Sequence, residues 1–166
     1  MESTEALASK IKAANEALFG KGEHDAVRKF FSPDYVVHLT EQDVTGGHKV
    51  VRSFLELYQR AFPDLTVQVK ILLEGTDRIA WQRTLRARHD GAFKGFPASG
   101  REIVWRDVVT SRFDDGLIAE EWVISDLAER LLLSRKKGVA PLMYASRCSG
   151  AEPAAALQRR EPFVIG

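Results

Sequence analysis

The chain has 166 residues, 45% of them hydrophobic, which is enough for one domain with a hydrophobic core and not obviously enough for two. With 24 basic and 23 acidic residues the net charge is +1, so no global electrostatic argument favours nucleic acid or an anionic membrane as a partner. The single cysteine, Cys148, excludes an internal disulfide, and because neither a secretory signal nor an apolar run of membrane-spanning length is present, we expect a cytoplasmic protein.

Helical patterns fill the first part of the chain. Apolar residues at positions 7, 11, 14 and 18 form a helical stripe that ends at Gly20 to Gly22. A short helix in "DAVRKFF" is broken by Ser32-Pro33, and "YVVHL" then turns extended. The stretch "TGGHKVVRSFLELYQRAF" predicts another helix, which Pro63-Asp64 ends.

From Leu65 onwards the apolar period changes to two residues, which predicts strands. Four alternating stretches follow, joined by turns such as Asp114-Asp115-Gly116: "LTVQVKILLEG", "DRIAWQRTLRARH", "REIVWRDVVTSRF" and "LIAEEWVISD". A short terminal helix in "LAERLLLSRKKG" closes the pattern. Helices followed by strands predict an α+β fold, with the helices packed on a curved antiparallel sheet around a central pocket. We place this domain at residues 1–133 and a tail at 134–166.

The motifs of metal, nucleotide and covalent chemistry are missing from the sequence. There is no Cys-x-x-Cys, His-Glu-x-x-His, Gly-x-Gly-x-x-Gly or Gly-x-Ser-x-Gly, and the four histidines have no helical pairing. We therefore expect neither a metal nor a cofactor. Acid–base chemistry by carboxylates and histidines remains.

The last predicted strand carries carboxylates at Glu120, Glu121 and Asp126. Alternation places Glu120, Trp122, Ile124 and Asp126 on one face, so that Glu121 is expected to face solvent. Asp126 has two possible roles. It precedes a helix with Glu129 at the capping-box spacing, which favours a helix cap. In an apolar pocket the same carboxylate has a raised pKa and serves as a general acid or base.

Three further polar residues lie in apolar strand contexts. His38 follows two valines and is, from the residues alone, more typical of a structural histidine than of a catalytic one. His89 lies where a strand meets a loop, where exposure to solvent is the plain alternative. Asp107 alternates with Trp105 and favours a cross-strand salt bridge to an arginine. The arginines at positions 83, 86 and 88 suggest a solvated outer surface.

Four stretches taken in order resemble one known family. "FFSPDYVVHL", "GGHKVVRSFLELYQRAFPDLTVQV", "RHDGAFKGFPASGREI" and "SRFDDGLIAEEWVISD" resemble the SnoaL-like polyketide cyclases of the NTF2-like superfamily, over roughly residues 18–133. The "AFPDL" phrase, the His-x-Gly-x-Phe-x-Gly-x-Pro stretch and the Trp-x-x-x-Asp ending carry the likeness. It implies an α+β cone and intramolecular aldol ring closure without metal or cofactor.

The resemblance also implies roles for particular residues. Asp126, the aspartate of the Trp-x-x-x-Asp ending, would be the general acid/base, assisted by His38 and His89. The hydrophobic small-molecule substrate would lie in a pocket formed by Trp122, Asp107, Glu120, Phe62 and Phe96. The family's frequent dimerisation through the open sheet face implies a homodimer.

Other functions stay open at this point. The chain departs from the family at Ala98-Ser99-Gly100, at Ala87-Arg88-His89 and in its tail, which affects the substrate more than the fold. Epoxide-opening cyclisation, isomerisation, hydroxylation and non-catalytic binding of a small molecule are the alternatives. Binding of nucleic acid is suggested only by basic residues of the tail and is not expected, because the domain is neutral.

Overall fold

A computed structural model describes residues 4–135 of the chain. A π-helical turn, Glu16–Gly20, and a 3-10 turn, His24–Ala26, follow the first helix. The helices are α1 (Thr4–Asn15), α2 (Val27–Phe30), α3 (His48–Ala61) and α4 (Leu127–Ser134). The strands are β1 (Phe31–His38), β2 (Asp43–Thr45), β3 (Thr66–Glu74), β4 (Arg78–Arg88), β5 (Glu102–Asp114) and β6 (Leu117–Ser125).

The six strands form one curved sheet in the order β2-β1-β6-β5-β4-β3. Neighbouring strands run antiparallel except β1 and β6, which are parallel. The parallel pair is possible because β1 lies far from β6 in the chain and is separated from it by a long connection. The first and last parts of the domain therefore meet in the middle of the sheet.

The helices cover one face of this sheet, and the core lies between them. On β5 the odd-numbered residues from 103 to 113 are buried, whereas the even-numbered ones are exposed or partly exposed. Such alternation is typical of an antiparallel sheet with one covered face. The predicted α+β fold and its period-two strands are confirmed. The short strand β2 was not predicted.

Gly47 fixes the entry into α3 against β1. Its φ is +58°, a conformation that favours glycine. Its N–H donates to the carbonyl oxygen of Tyr35 at 3.1 Å. A Cβ atom at this position would lie 1.7 Å from the carbonyl oxygen of Pro33. The backbone of β1 thus approaches α3 so closely that only glycine fits.

Most of the predicted tail, including Cys148, lies outside the described residues. Ser134 is the last residue of α4, and Arg135 is the last one described. Within residues 4–135 no helix is long and apolar enough to cross a membrane. The domain boundary at residue 133 stays a prediction.

Candidate active site

A cavity of about 310 Å³ lies between the inner face of the sheet and the helices. Aliphatic and aromatic side chains form most of its wall, as is typical of small-molecule sites. Helix α3 and the turn after α1 cover one side, and β1, β6 and α4 close the others. Its polar side chains include Tyr35, Thr40, Glu41, Gln42, Tyr58, Arg83, Lys94, Glu121 and Ser125.

Glu121 of β6 is the carboxylate on the inner side of this cavity. It is 8% exposed and accepts two hydrogen bonds. The Tyr35 hydroxyl donates to Oε2 at 2.8 Å, and the Ser111 hydroxyl donates to Oε1 at 2.6 Å. Ser111 in turn accepts a hydrogen bond of 2.9 Å from the indole nitrogen of Trp81. The two carboxylate oxygens are therefore held by side chains of two other strands, β1 and β5, and Trp81 of β4 in turn holds Ser111.

Burial controls the protonation of this group. Desolvation raises the pKa of Glu121, although the hydrogen bonds from Ser111 and Tyr35 and the charge of Arg83 act in the opposite direction. Desolvation, together with the neighbouring Glu121 charge, also raises the pKa of Tyr35 well above its usual value. Tyr35 thus remains a hydrogen-bond donor, and Glu121 has the elevated basicity of a proton-transfer group.

A buried ion pair lies beside Glu121 on the inner face of the sheet. Nε of Arg83, on β4, donates to Oδ2 of Asp107, on β5, at 2.6 Å, and the two residues are direct cross-strand partners. Asp107 is fully buried. Burial acts to lower the pKa of Arg83, but the Asp107 carboxylate outweighs this effect and the pKa is raised. The guanidinium of Arg83 therefore stays charged inside the cavity wall.

Aromatic rings surround this ion pair. The guanidinium carbon of Arg83 lies 4.5 Å from the ring centre of Phe19 and 5.8 Å from that of Trp81. Tyr58 of α3 packs edge-on against Phe19, with ring centres 5.8 Å apart. Burial and the charge of Asp107 raise the pKa of Tyr58. Among residues 4–135 its hydroxyl has no hydrogen-bond partner in the structure, so it remains available as a donor.

The cavity thus combines an apolar wall with a few convergent polar groups. Glu121 can accept or return a proton, while Tyr58 and Arg83 can donate hydrogen bonds to a ligand oxygen. In a site of low dielectric such donors stabilise developing negative charge more strongly than they do in water. This set of groups suits chemistry that passes through an enolate.

Asp126 lies at the end of β6, and its carboxylate is outside the wall of the cavity. Oδ1 accepts from the backbone N–H of Arg106 at 2.7 Å, and Oδ2 pairs with Arg130 at 3.0 Å. The residue occupies the N-cap position of α4, but its side chain makes no capping hydrogen bond. Its lone pairs are engaged by β5 and α4 rather than by the interior of the site. The neighbouring Ser125 and Leu127 do line the cavity.

His38, Glu120 and Trp122 form a cluster on the outer face of the sheet. His38 forms a hydrogen bond of 2.8 Å through Nε2 with the Glu120 carboxylate and one of 2.7 Å through Nδ1 with the Asp43 carboxylate. Its ring stacks on Trp122 at 4.7 Å, and Glu120 also pairs with Arg112 at 2.8 Å. Glu120 and Trp122, which we expected to line the pocket, therefore lie on the opposite face of the sheet.

His89, Phe62 and Phe96 lie around the loop between β4 and β5. His89 is buried against the Phe62 ring, with ring centres 5.3 Å apart, and desolvation lowers its pKa. The alternative expectation, that His89 is exposed to solvent, is therefore wrong. Phe96 lines the main cavity, whereas Phe62 lines a smaller one of about 140 Å³ beside it. The side chains of Asp126, His38 and His89 are not brought together, and their catalytic roles stay predictions.

Sequence reasoning assigned Glu121 to the wrong face of β6. Glu121 lies opposite Ser111 in the β5–β6 register, and Ser111 belongs to the buried set of β5. The face of β6 that we expected to be exposed to solvent is therefore the one that faces the core. Trp122 and Ile124 made the other face look like the core, yet Ile124 is 70% exposed. Arg83 was likewise expected on the outer surface and is instead nearly buried.

Tyr35 and Arg83 were missed as site residues, although a signal for each was present. Tyr35 alternates with Val37 on β1, which places it on an apolar face. Arg83 alternates with Trp81 and Leu85, both buried. A basic residue between two buried apolar ones requires a buried partner. The expected salt bridge of Asp107 to an arginine supplies that partner and is confirmed.

Comparisons with known proteins identify the family to which this cavity and fold belong. The sequence model of the family described as SnoaL-like polyketide cyclase matches residues 9–132. Within residues 4–135 no group of three or more histidine, cysteine or acidic side chains is arranged to hold a metal ion. No curated protein matches the chain.

Three solved structures illustrate the likeness. IdmH from Streptomyces antibioticus, described as a candidate polyketide cyclase, is 30% identical with a TM-score of 0.64, covering 77% of this chain and 96% of that one. AclR from Streptomyces galilaeus, described as a candidate hydroxylase, is also 30% identical with a TM-score of 0.64, covering 78% and 92%. A SnoaL-like protein from Jannaschia sp. CCS1 is 26% identical with a TM-score of 0.67, covering 75% and 88%.

Proposed function

This chain belongs to the SnoaL-like polyketide cyclase family, and on that premise we propose that it closes a ring within a polyketide-like intermediate by cofactor-independent general acid–base catalysis. The observation that carries the proposal is the Glu121 carboxyl, buried on the inner wall of an apolar cavity and held by Tyr35 and Ser111. A carboxyl with a raised pKa in such a place is suited to moving a proton to and from carbon.

The reaction is an intramolecular aldol addition. Ionised Glu121 takes a proton from the carbon between two carbonyl groups, and the resulting enolate carbon attacks a ketone carbon of the same molecule. One carbon–carbon bond forms, and the ketone oxygen becomes an alkoxide. Protonated Glu121 supplies the proton that neutralises it and so returns to its ionised form. No proton is gained or lost overall, so the product is an isomer of the substrate.

The apolar wall contributes by holding the substrate in a folded conformation. Phe19, Phe31, Phe54, Phe93 and Phe96 all line the cavity, and flat aromatic rings favour a flat, partly aromatic ligand. Fixing the reacting carbons near each other removes much of the entropic cost of ring closure. The geometry therefore favours a fused-ring polyketide-like compound over a linear, highly charged one.

Asp126 is the competing candidate for the proton-transfer group, as the family resemblance implies. Its carboxylate is held by Arg106 and Arg130, and reaching a ligand would require both contacts to be released. His38 and His89, predicted as its assistants, contact other residues: His38 bonds to Glu120 and Asp43, and His89 packs against Phe62. We therefore assign proton transfer to Glu121.

Two matched substitutions test this assignment. A bicyclic or tricyclic β-keto ester with a pendant ketone is incubated with wild type, Glu121→Gln and Asp126→Asn, and the products are separated by chromatography. Wild type is expected to give a ring-closed isomer. Glu121→Gln is expected to reduce the rate about 10²- to 10⁴-fold, whereas Asp126→Asn changes it only a few-fold.

The reverse order of the two variants would assign catalysis to Asp126. Binding of the compound without conversion in wild type would indicate a small-molecule-binding protein. A product that contains one more oxygen would indicate hydroxylation. Either of the last two results would overturn the proposed ring closure.

We also propose that the protein is a cytoplasmic homodimer. Val104, Val108 and Ile124 on the outer face of the sheet are exposed, which supports an interface there. Light scattering on the full chain measures the mass, and a monomer at micromolar concentration would contradict the dimer.

A further inference from the structure

The Arg83 guanidinium is only partly used by the protein itself. Its Nε–H donates to Asp107, and its two terminal nitrogens have no hydrogen-bond partner among residues 4–135. Four fully buried side-chain polar atoms of this region have no hydrogen-bond partner, and neither terminal nitrogen of Arg83 is one of the four. Because these two nitrogens have no partner and are not fully buried, they are open to the cavity that Arg83 lines.

A purely structural ion pair does not need this arrangement. Arginine and carboxylate usually pair through two parallel hydrogen bonds, but here a single one forms and Oδ1 of Asp107 is left without a partner. A buried pair is also a weak source of stability. The charge is instead held in one orientation, with Asp107 behind it and the Phe19 ring beside it.

We propose that the two terminal nitrogens of Arg83 form an oxyanion-binding subsite that holds the enolate oxygens of a β-dicarbonyl unit. The inference rests on the proposed function, because it places the enolate of that reaction. The planar guanidinium presents parallel N–H groups, and a β-dicarbonyl enolate presents two oxygens in one plane. Glu121 lines the same cavity, where it would face the carbon between them.

The electrostatic surroundings are consistent with one bound anion. The charged groups that act on Arg83 are Asp107, which neutralises it in part, and Glu121, which the proposed reaction uses in its ionised form. When Glu121 accepts the substrate proton it becomes neutral at the moment the enolate forms. The total charge of the site therefore does not change during proton transfer.

A ligand that cannot close a ring separates this subsite from turnover. Benzoylacetone carries an aromatic ring and a β-diketone, and its enolate absorbs at longer wavelength than its enol. Butyrophenone has the same ring with one carbonyl group and serves as the matched control. Each is titrated with the full-length protein at several pH values, and absorbance reports the ionised fraction of bound benzoylacetone.

Wild type is expected to favour the bound enolate about tenfold or more relative to solution, because charged donors hold an anion more strongly than a neutral ligand. Arg83→Gln should abolish this preference and weaken the binding of butyrophenone, which presents one neutral carbonyl oxygen, to a much smaller extent. Arg83→Lys, which keeps the charge without the planar fork, should retain part of it. An enolate preference that survives in Arg83→Gln, or none in wild type, would overturn the proposal.

Loss of Arg83 alone leaves Asp107 buried without a counter-charge, so this variant is at risk of unfolding. Arg83→Gln/Asp107→Asn removes both charges and is the second test, with circular dichroism as the measure of folding. It should also abolish the preference for the enolate. An enolate preference without turnover of the β-keto ester would refute the ring closure and support the subsite. Turnover without an Arg83-dependent preference would refute the subsite and support the ring closure.

Discussion

The hydroxyl of Tyr35 donates a 2.8 Å hydrogen bond to the carboxylate of Glu121, and the two residues are 86 positions apart in the chain. The bond crosses the parallel pair formed by β1 and β6. It links the strand that begins the sheet region to the strand that ends it. The position of the carboxylate in the cavity thus depends on a contact that no local segment can form.

Removing the Tyr35 hydroxyl should destabilise the fold through Glu121. Tyr35→Phe leaves one carboxylate oxygen without its donor in a buried place, and we expect a cost of about 1–3 kcal/mol in the free energy of unfolding. Urea unfolding measures this cost. In Tyr35→Phe/Glu121→Gln no buried charge is left unsatisfied, so the two effects should not add. Additive costs would mean that the hydrogen bond contributes nothing.

Glu121→Gln should change how stability depends on pH. Because the folded state raises the pKa of Glu121, the native protein binds this proton more tightly than the unfolded chain does. The stability it contributes is present below the ordinary pKa of 4.5 and is lost as the pH rises through the folded value. The wild type should therefore lose stability relative to Glu121→Gln as the pH rises.

Urea unfolding of both proteins from about pH 4 to pH 9 measures the difference. Glu41→Gln is the control, because this carboxylate lies at the rim of the same cavity and is exposed. A constant difference between wild type and Glu121→Gln over this range would contradict the burial of an ionisable Glu121.

The outer-face cluster gives an independent prediction. Hydrogen bonds that His38 donates to Glu120 and Asp43 raise its pKa, and hydrogen bonds that Glu120 accepts from Arg112 and His38 lower the pKa of Glu120. The contribution of His38 is present below its ordinary pKa of 6.5 and is lost as the pH rises through its raised value. The contribution of Glu120 is lost as the pH falls through its lowered value.

Wild type should therefore exceed His38→Gln in stability by the largest amount between about pH 5 and pH 6.5. The difference is expected to be small, because the pair is partly exposed. Turnover should be unaffected if His38 has only this structural role. A large loss of activity in His38→Gln with an unchanged free energy of unfolding would instead restore the catalytic assignment.

Gly47→Ala should be far more damaging than Gly22→Ala. Both glycines have positive φ, +58° and +70°, so alanine is strained at either position by about 1 kcal/mol. At Gly47 the added Cβ would also overlap the carbonyl oxygen of Pro33, whereas nothing lies within 4 Å of it at Gly22. Thermal unfolding of the two variants measures the difference, and equal melting temperatures would contradict the close approach of β1 to α3.

Local pattern was sufficient for most elements of the fold, although it did not predict the short strand β2. The Asp114-Asp115-Gly116 turn is typical of a hairpin, and Asp115 and Gly116 have φ values of +46° and +72°, as a two-residue hairpin turn requires. The strands that flank it alternate as the sequence indicates. These features depend on residues only a few positions apart, so their signal is present in the sequence.

The faces of β6 could not be predicted in the same way. Alternation separates Glu121 from Trp122 but does not say which side the helices cover. Hydrophobicity favoured the side of Trp122, yet the polar side chains of His38 and Arg78 contact this ring on the outer face. The inner side was determined by Ser111 and by Tyr35 on β1. A partner so distant in sequence leaves no periodic signal.

The parallel pairing of β1 with β6 also has a consequence for synthesis on the ribosome. The chain emerges from its N-terminus, so β1 and α3 leave the exit tunnel long before β6 does. Until β6 has emerged, Tyr35 has no carboxylate to bind, and the edge of β1 that pairs with β6 has no neighbouring strand. Pairings that join distant segments form late and slowly. A nascent chain stalled before residue 117 should therefore be sensitive to proteases and unable to bind ligand, and both properties should change together once β6 is released.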